Sequence, residues 1–246
     1  MKKQTFAVVA FALIALFFLG GCASVSGQVI RGSGKVVQES PAVSGISSVQ
    51  LEGIGDVVIT QGETESLTVE AEDNILPMLD THMDGSKLVI GIKRAYMAVS
   101  INPTRPIRYN LTVKNLNAID LSGSGNFSSG SLKSGSLEVK ISGSGNVDLS
   151  KVSADQVTAE ISGSGSITLA GEAKNQQISI PGSGQFKGRD LKGSTATVRI
   201  SGSGSATVNA AETVDAQISG SGNVAYLGSP KVSSNVSGSG SVTSAR

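Results

Sequence analysis

From residue 121 onward, the chain repeats one short motif at almost constant spacing. The motif is an apolar residue followed by Ser-Gly-Ser-Gly, or by Pro-Gly-Ser-Gly in one copy, and the residue after the apolar one falls at positions 122, 142, 162, 181, 201, 219 and 237. The spacings are therefore 20, 20, 19, 20, 18 and 18 residues. A period near 20 that persists through seven copies is typical of a solenoid, in which each repeat forms one coil that packs on the next.

The residues that flank each motif alternate between apolar and polar. Examples are Leu137–Ile141 before a motif and Val147–Leu149 after it. Alternation with a period of two indicates β-strands with one buried face. We therefore predict an all-β solenoid with coils of about 18–20 residues in the C-terminal half. Stacked coils should align outward residues into ladders, of which one is Lys140, Glu160, Ser179, Arg199, Gln217 and Asn235.

The glycines of the motif are predicted to form tight corners between two strands of each coil. Backbones of adjacent coils approach to about 4.8 Å at such a corner, and glycine adopts positive φ there without steric cost. These structural glycines are Gly123, Gly125, Gly143, Gly145, Gly163, Gly165, Gly182, Gly184, Gly202, Gly204, Gly220, Gly222, Gly238 and Gly240.

The N-terminal half is less regular, and we expect larger coils there with antiparallel excursions. Strand-like patterns occur at 35–38, 49–51, 55–60, 66–71, 87–93 and 109–113, and residues 74–84 are predicted as a helical turn or long loop. The segment Gly53-Ile-Gly55-Asp56 resembles a degenerate copy of the later corner. No linker separates the halves, so residues 45–246 are predicted to form one domain.

The N-terminus has the layout of a secretory signal. Lys2 and Lys3 precede an uncharged apolar run from Phe6 to Leu19, and Leu-Gly-Gly-Cys follows. The run has 14 residues, whereas a membrane-spanning helix needs about 20. The ending resembles a lipobox, so we predict a signal peptide over 1–21, lipidation of Cys22 and a tether over 22–44. In a Gram-negative bacterium, Ala23 favours the outer membrane, so the predicted localisation is the cell envelope.

Composition excludes several classes of function. After residue 21 the chain keeps 18 basic and 19 acidic residues, because only Lys2 and Lys3 are lost from the totals of 20 and 19. A nearly neutral chain without basic clusters does not predict nucleic-acid binding. Its aromatic residues after the signal are Tyr96, Tyr109, Phe127, Phe186 and Tyr226, so the interior must be filled mainly by Val, Ile, Leu and Ala.

Two blocks of sequence resemble one known family. Residues 46–93, with Val-Gln-Leu-Glu-Gly-Ile-Gly-Asp-Val-Val-Ile near their start, are similar to the beginning of the head GIN domain, a family described as auto-transporter adhesins. The Ser-Gly-Ser-Gly-Asn corners at 122–126, 142–146 and 219–223 match its recurring element. The resemblance covers about residues 44–246 and implies a right-handed parallel β-helix at the cell surface or in the periplasm, with no recognised catalytic residues.

Candidate catalytic and metal-ligating residues are few. His82 is the only histidine and is expected to be an exposed loop residue, and no Gly-x-Ser-x-Gly elbow occurs. One histidine and a lipidated cysteine do not favour zinc. Asp148 follows a corner as calcium ligands do in β-rolls, but the equivalent positions hold Thr168, Lys187, Thr207 and Ala225, so we predict no metal and no cofactor. Asn126, Asn146 and Asn223 are a candidate ligand patch, with turn residues as the favoured interpretation.

Two functions remain open from the sequence. The favoured one is a non-enzymatic adhesin-like or scaffold module that binds a glycan or a surface protein through a flat β-face. The alternative is a carbohydrate-active enzyme of the polysaccharide lyase type, with a site formed by Arg94, Arg105 and Arg108 around Tyr96 and Tyr109. The last repeat ends shortly after its corner and leaves an open strand edge. This edge is either protected by Lys231 and Arg246 or is a docking surface, for self-association through the C-terminal coil or for a strand from a partner.

Overall fold

The computed structural model describes residues 29–245. They form a β-solenoid of about six turns, with 66% of the residues in strands, which confirms the predicted fold class. The predicted signal peptide and Cys22 lie outside the described residues, as do positions 23–28 of the predicted tether. Among the described residues, no helix has the length and apolar character needed to cross a membrane.

The N-terminal half combines parallel and antiparallel strands. Its strands are β1 (Val29–Arg31), β2 (Val36–Glu39), β3 (Ser48–Leu51), β4 (Asp56–Gln61), β5 (Ser66–Glu72), β6 (Leu79–Asp84), β7 (Lys87–Ile92), β8 (Ser100–Asn102) and β9 (Arg108–Val113), with 3₁₀ turns at Leu76–Met78 and Arg94–Tyr96. β2 pairs with β5, β5 with β9 and β6 with β7, all antiparallel, as expected for this half of the chain.

Two details of this half differ from the sequence-based predictions. Residues 79–84, expected in a turn or loop, form β6, which makes a hairpin with β7. Within the predicted tether, β1 pairs with β8 and β2 pairs with β5, so residues 29–39 are part of the folded domain.

The regular part of the solenoid follows. Its strands are β10 (Ala118–Leu121), β11 (Asn126–Ser129), β12 (Leu132–Ile141), β13 (Asn146–Ile161), β14 (Ser166–Ile180), β15 (Gln185–Ile200), β16 (Ser205–Gly220), β17 (Asn223–Leu227), β18 (Lys231–Gly238) and β19 (Ser241–Ser244). Successive coils pair in parallel, and the register places Lys140 beside Glu160, Glu160 beside Ser179 and Ser179 beside Arg199. The predicted ladder continues through Gln217 to Asn235.

The order of coils along the rod differs from their order in the chain. β3 and β4 form one coil, which lies between the coil of β10 and β11 and the coil of β7 and β9. Residues 87–113 therefore form the N-terminal end of the parallel stack, and the antiparallel strands β6 and β5 pair with β7 and β9 there. At the other end, within residues 29–245, β18 and β19 pair only with the preceding coil. Self-association through this last coil stays a prediction.

The interior is narrow and mostly aliphatic, as the composition predicted. Each coil directs a few Val, Ile, Leu or Ala side chains inward, and Tyr109, Phe127 and Phe186 are the largest fully buried side chains. Burial removes the Tyr109 hydroxyl from water and raises its pKa.

The corner glycines are required by the neighbouring coil more than by their own backbone torsions. Of the 14 predicted corner glycines, only Gly220 and Gly238 have φ in the left-handed region, at 144° and 132°, so the positive-φ explanation is wrong for the other 12. A Cβ at Gly143 would instead overlap the carbonyl oxygen of Gly123, and one at Gly145 would overlap that of Gly125. The early Gly53-Ile-Gly55 copy is part of the same stack, because Gly123 and Gly125 meet the carbonyls of Gly53 and Gly55.

A buried carboxylate fastens the N-terminal strands to the rod. Glu72 is fully buried at the end of β5. Its Oε1 accepts the Gly34 amide at 2.6 Å, and its Oε2 accepts the Thr104 amide at 2.9 Å. Desolvation acts to raise its pKa, but these bonds, the Thr104 hydroxyl and the Arg105 amide stabilise the charged form, and the net pKa lies below 4.5. Glu72 thereby joins the segment before β2 to the segment between β8 and β9.

We expect Gly145→Val to destabilise the solenoid far more than Ser144→Ala. A valine side chain would displace the Gly125 carbonyl and contact Leu121, and overpacking of this kind costs about 1–3 kcal/mol or more. Ser144 is exposed, so its truncation should change stability by about 0.5 kcal/mol or less. Thermal melting of both variants beside the wild type measures the difference, and equal melting temperatures for all three would contradict the stacked-corner explanation.

We expect Glu72→Gln to lower stability at neutral pH and to have a smaller effect in acid. Because the folded pKa of Glu72 is depressed, its contribution is present above the unfolded pKa and is lost as the pH falls through the folded value. The melting temperatures of the variant and the wild type should therefore differ at pH 7 and become more alike at pH 3. The exposed Glu212→Gln is the control, and a constant difference between Glu72→Gln and wild type at both pH values would contradict this role.

Candidate binding groove

An open groove runs along one side of the rod, with a volume of about 1090 Å³. Each of four successive coils contributes a triplet of residues at the same place, namely 133–135, 153–155, 172–174 and 192–194, and the groove continues to Gln61, Gly62 and Glu63 of the coil before them. Five coils at about 4.8 Å spacing give a length of about 19 Å. The triplets lie at a second bend of each coil, about midway along the chain between one Ser-Gly-Ser-Gly corner and the next.

Small residues form the floor of this groove. The middle positions of the triplets are Ser134, Ala154, Ala173 and Gly193, and the register pairs Ser134 with Ala154 and Ala154 with Ala173. These positions lie eight residues before the motifs that begin at 142, 162, 181 and 201. The repeat therefore carried a signal for the groove that our sequence analysis missed, because small residues are common throughout this chain.

Charged and hydrogen-bonding side chains form the rims. Lys174 Nζ lies 2.6 Å from Asp155 Oδ1, and this contact lowers the pKa of Asp155 and raises that of Lys174. Both side chains are largely exposed, so the pair adds little stability. Among residues 29–245, Lys114, Lys133 and Lys192 make no ion pair, and they line the groove beside Asn115, Asn117 and Ser194. The groove thus offers many hydrogen-bond donors and acceptors and no aromatic side chain.

A buried glutamine supports the wall at Gly193. Gln176 occupies a core position whose neighbours in the ladder are Val157 and Ala196. Its Nε2 donates to the carbonyl oxygens of Leu191 and Asn209, both at 3.0 Å. The pairing of β15 with β16 shifts register on both sides of residues 192 and 193. The side-chain amide of Gln176 therefore donates hydrogen bonds to carbonyl oxygens at a place where the backbone ladder is irregular. A Cβ at residue 193 would lie 2.3 Å from the carbonyl oxygen of Ala173 and 2.7 Å from this Nε2, which explains the glycine.

Variation in coil length lies in the stretch that leads from each corner into the groove. The register shifts by one residue between Leu149 and Val152, and again between Thr168 and Ala170. In the ladder of corners, each glycine still stacks on its equivalent in the coil before it. The spacings of 19 and 18 residues therefore change the stretch between each corner and the groove triplets, together with residues 193–195 at the groove itself, and remove nothing from the corner.

The candidate enzyme residues do not form a site. Tyr109 is 1% exposed and lies in the core beneath Gly55, so its hydroxyl cannot meet a substrate together with the exposed Arg94 and Arg105. His82 is exposed, as predicted, but on strand β6 and not in a loop, and its Nδ1 lies 3.1 Å from Asp80 Oδ2. Within residues 29–245, no cluster of three or more His, Cys, Asp or Glu side chains could hold a metal ion.

The asparagines after the corners bond to one another along the rod. Asn146 Nδ2 donates to Asn126 Oδ1 at 3.1 Å, and Asn126 Nδ2 donates to Asp56 Oδ1 at 2.8 Å. Near the other end, Ser241 Oγ donates to Asn223 Oδ1 at 2.8 Å. These contacts occupy the side chains within the ladder, consistent with the interpretation as structural residues. Asp148 lies beside Thr168, as the sequence alignment of coils predicted.

Comparison with known proteins places these features in context. The family model described as "putative auto-transporter adhesin, head GIN domain" matches residues 46–230. No significant match to a curated protein is found. Solved structures with the same fold include a "putative adhesin" from Bacteroides fragilis, with 23% identity, a TM-score of 0.82 and coverage of 88% of this chain and 100% of that one.

Two structures from Parabacteroides are also similar. A "putative lipid binding protein" from Parabacteroides distasonis has 24% identity and a TM-score of 0.72, and a "putative adhesin" from Parabacteroides merdae has 23% identity and a TM-score of 0.69. In both cases, the match covers 89% of this chain and 100% of the other. At these identities, the similarity establishes the shared fold.

Proposed function

Because this chain belongs to the head GIN domain family, we propose that it is a non-enzymatic, adhesin-like binding module of the bacterial cell envelope. The observation that carries the proposal is the groove, which is long and open and has polar and charged side chains along both rims. Such a surface suits an extended ligand that forms many hydrogen bonds. A glycan chain fits this description, because its hydroxyl groups match the lysine, asparagine and serine side chains of the rims.

The groove replaces the flat β-face as the proposed binding surface. Outward residues on the faces between corners alternate in charge and bond to their neighbours, as Lys140 does with Glu138 at 2.6 Å. Several charged residues of the groove lack such a partner, since Lys114, Lys133 and Lys192 make no ion pair within residues 29–245. A ligand can therefore bind in the groove without breaking existing ion pairs at these three lysines.

Lipidation of Cys22 is the second part of the proposal. The apolar segment before it, the Leu-Gly-Gly-Cys sequence and the absence of any other cysteine support an acylated N-terminus. An acyl anchor would hold the module at the outer membrane, the location that Ala23 favours in a Gram-negative cell. The anchor and the groove would then supply the two attachments that an adhesin needs, one to its own cell and one to a ligand.

We expect Ala154→Tyr to reduce ligand binding by about tenfold or more, because the ring would occupy the floor of the groove. Thr168→Tyr is the matched control, since Thr168 lies at an outward, half-buried position on another face of the neighbouring coil. A glycan array identifies the ligand, and titration of the wild type and both variants measures the effect. Equal loss in the two variants, or binding of surface proteins and no glycan, would contradict the glycan-binding groove.

We expect Cys22→Ala to abolish acylation and to leave an unprocessed precursor. The thiol is the only group in the motif that can carry the thioether-linked lipid. Incorporation of labelled palmitate and the size of the protein in membrane fractions measure the outcome, with Ser24→Ala as the control. A Cys22→Ala protein of mature size that remains in the membrane would contradict lipid anchoring.

A further inference from the structure

The segment 93–107 is an enlarged corner at the N-terminal end of the rod. In the next coil, residues 52–55 make the tight turn between β3 and β4, whereas 93–107 connect the equivalent strands β7 and β9. The longer connection contains the 3₁₀ turn Arg94–Tyr96 and strand β8. We call these 15 residues the corner loop.

The corner loop is cationic. It contains Lys93, Arg94 and Arg105 and no acidic residue. The wider region 85–119 contains six basic residues and no Asp or Glu. This local excess of positive charge contrasts with the near-neutral balance of the whole chain, and it favours an anionic partner.

The corner loop also exposes apolar side chains together with strand β1. Met97 is 68% exposed and Val29 is 61% exposed, the two highest values among the exposed large hydrophobic residues. Val29 is held beside the corner loop, because it pairs with Ser100, three residues after Met97. Tyr96 is half-buried next to Met97. Exposed apolar side chains on a segment that also carries basic residues are typical of surfaces that bind a lipid interface.

The position of β1 limits how far this surface can be from a lipid on Cys22. Six residues separate Cys22 from Val29, and seven steps along a fully extended chain span at most about 25 Å. Glu72 and the pairing of β1 with β8 hold Val29 against the corner loop. This step rests on the proposed lipidation, which would bring the corner loop to the bilayer surface.

We propose that the corner loop and β1 form a membrane-docking surface, with Met97 and Val29 in the interface and Lys93, Arg94 and Arg105 on anionic headgroups. The rod then points its C-terminal coils away from the bilayer, and the groove is presented at its side. Each basic residue near an anionic leaflet strengthens binding by about fivefold. The lipid on Cys22 would supply most of the affinity, and the docking surface would fix the orientation.

Vesicle binding by the non-lipidated chain, residues 23–246, tests the surface without the anchor. We expect it to sediment with phosphatidylcholine vesicles that contain phosphatidylglycerol and not with phosphatidylcholine alone, and high salt should release it. Arg94→Glu and Met97→Asp should each weaken binding about fivefold or more, whereas Lys187→Glu, at an exposed position on a distant coil, should leave it unchanged. Equal effects of the three variants, or equal binding to neutral vesicles, would overturn the proposal.

Orientation of the lipidated protein gives an independent measurement. Cys22 is the only cysteine, so Met97→Cys and Val242→Cys each introduce one free thiol for a fluorescent label. A quencher in the lipid phase should act on the label at 97 and not on the label at 242, near the opposite end of the rod. Equal quenching, or none at either position, would overturn the docking orientation, while failure of lipidation alone would appear as loss of membrane attachment in the Cys22 test.

Discussion

The stacking of one backbone on the next at the Ser-Gly-Ser-Gly corner is the constraint on which the rest of the structure depends. At each corner, the chain passes so close to the coil before it that a single Cβ would overlap a carbonyl oxygen. The same contacts align the corner amides with those carbonyls, as in the bond from Ser164 N to Gly143 O at 3.2 Å. Once the corners are in register, the flanking strands are aligned, and alternate side chains enter a core that is only a few residues wide. The parallel ladders and the mostly aliphatic interior both follow from this stacking of the corners.

The sequence predicted this part of the fold because the signal is repeated. The motif spacing gave the coil length, and pairs such as Lys140 with Glu160 were identified from alignment of the motifs alone. The reason assigned to the glycines was wrong at most corners, since a local torsion can be guessed from one residue, whereas close approach depends on a residue about 20 positions away. Residues 79–84 were not recognised as a strand, because Pro77 and two acidic residues in the segment favour a turn.

The functional surfaces were harder to predict, for physical reasons that differ between them. The groove exists because the residues of its floor, Ser134, Ala154, Ala173 and Gly193, have small side chains or none. Small residues form no distinctive pattern in a chain with 31 glycines. The cationic corner loop was noticed through Arg94, Arg105 and Arg108, but it was considered only as the site of the alternative enzyme function, together with Tyr109. Burial of Tyr109 removes that role, and the pairing of β1 with β8 supplies the neighbour that the sequence could not show.

The two edges of each coil differ in what they tolerate. At the corner, one added side chain would collide with the adjacent backbone, whereas between the corner and the groove triplets the chain gains or loses a residue and the pairing resumes within a few positions. In a rod built in this way, the corners fix the fold, while the stretch after each corner is free to vary. Insertions and deletions in the stretch that leads into the groove can create a new specificity without a new fold, and the same asymmetry makes that stretch the natural place to graft a designed binding loop.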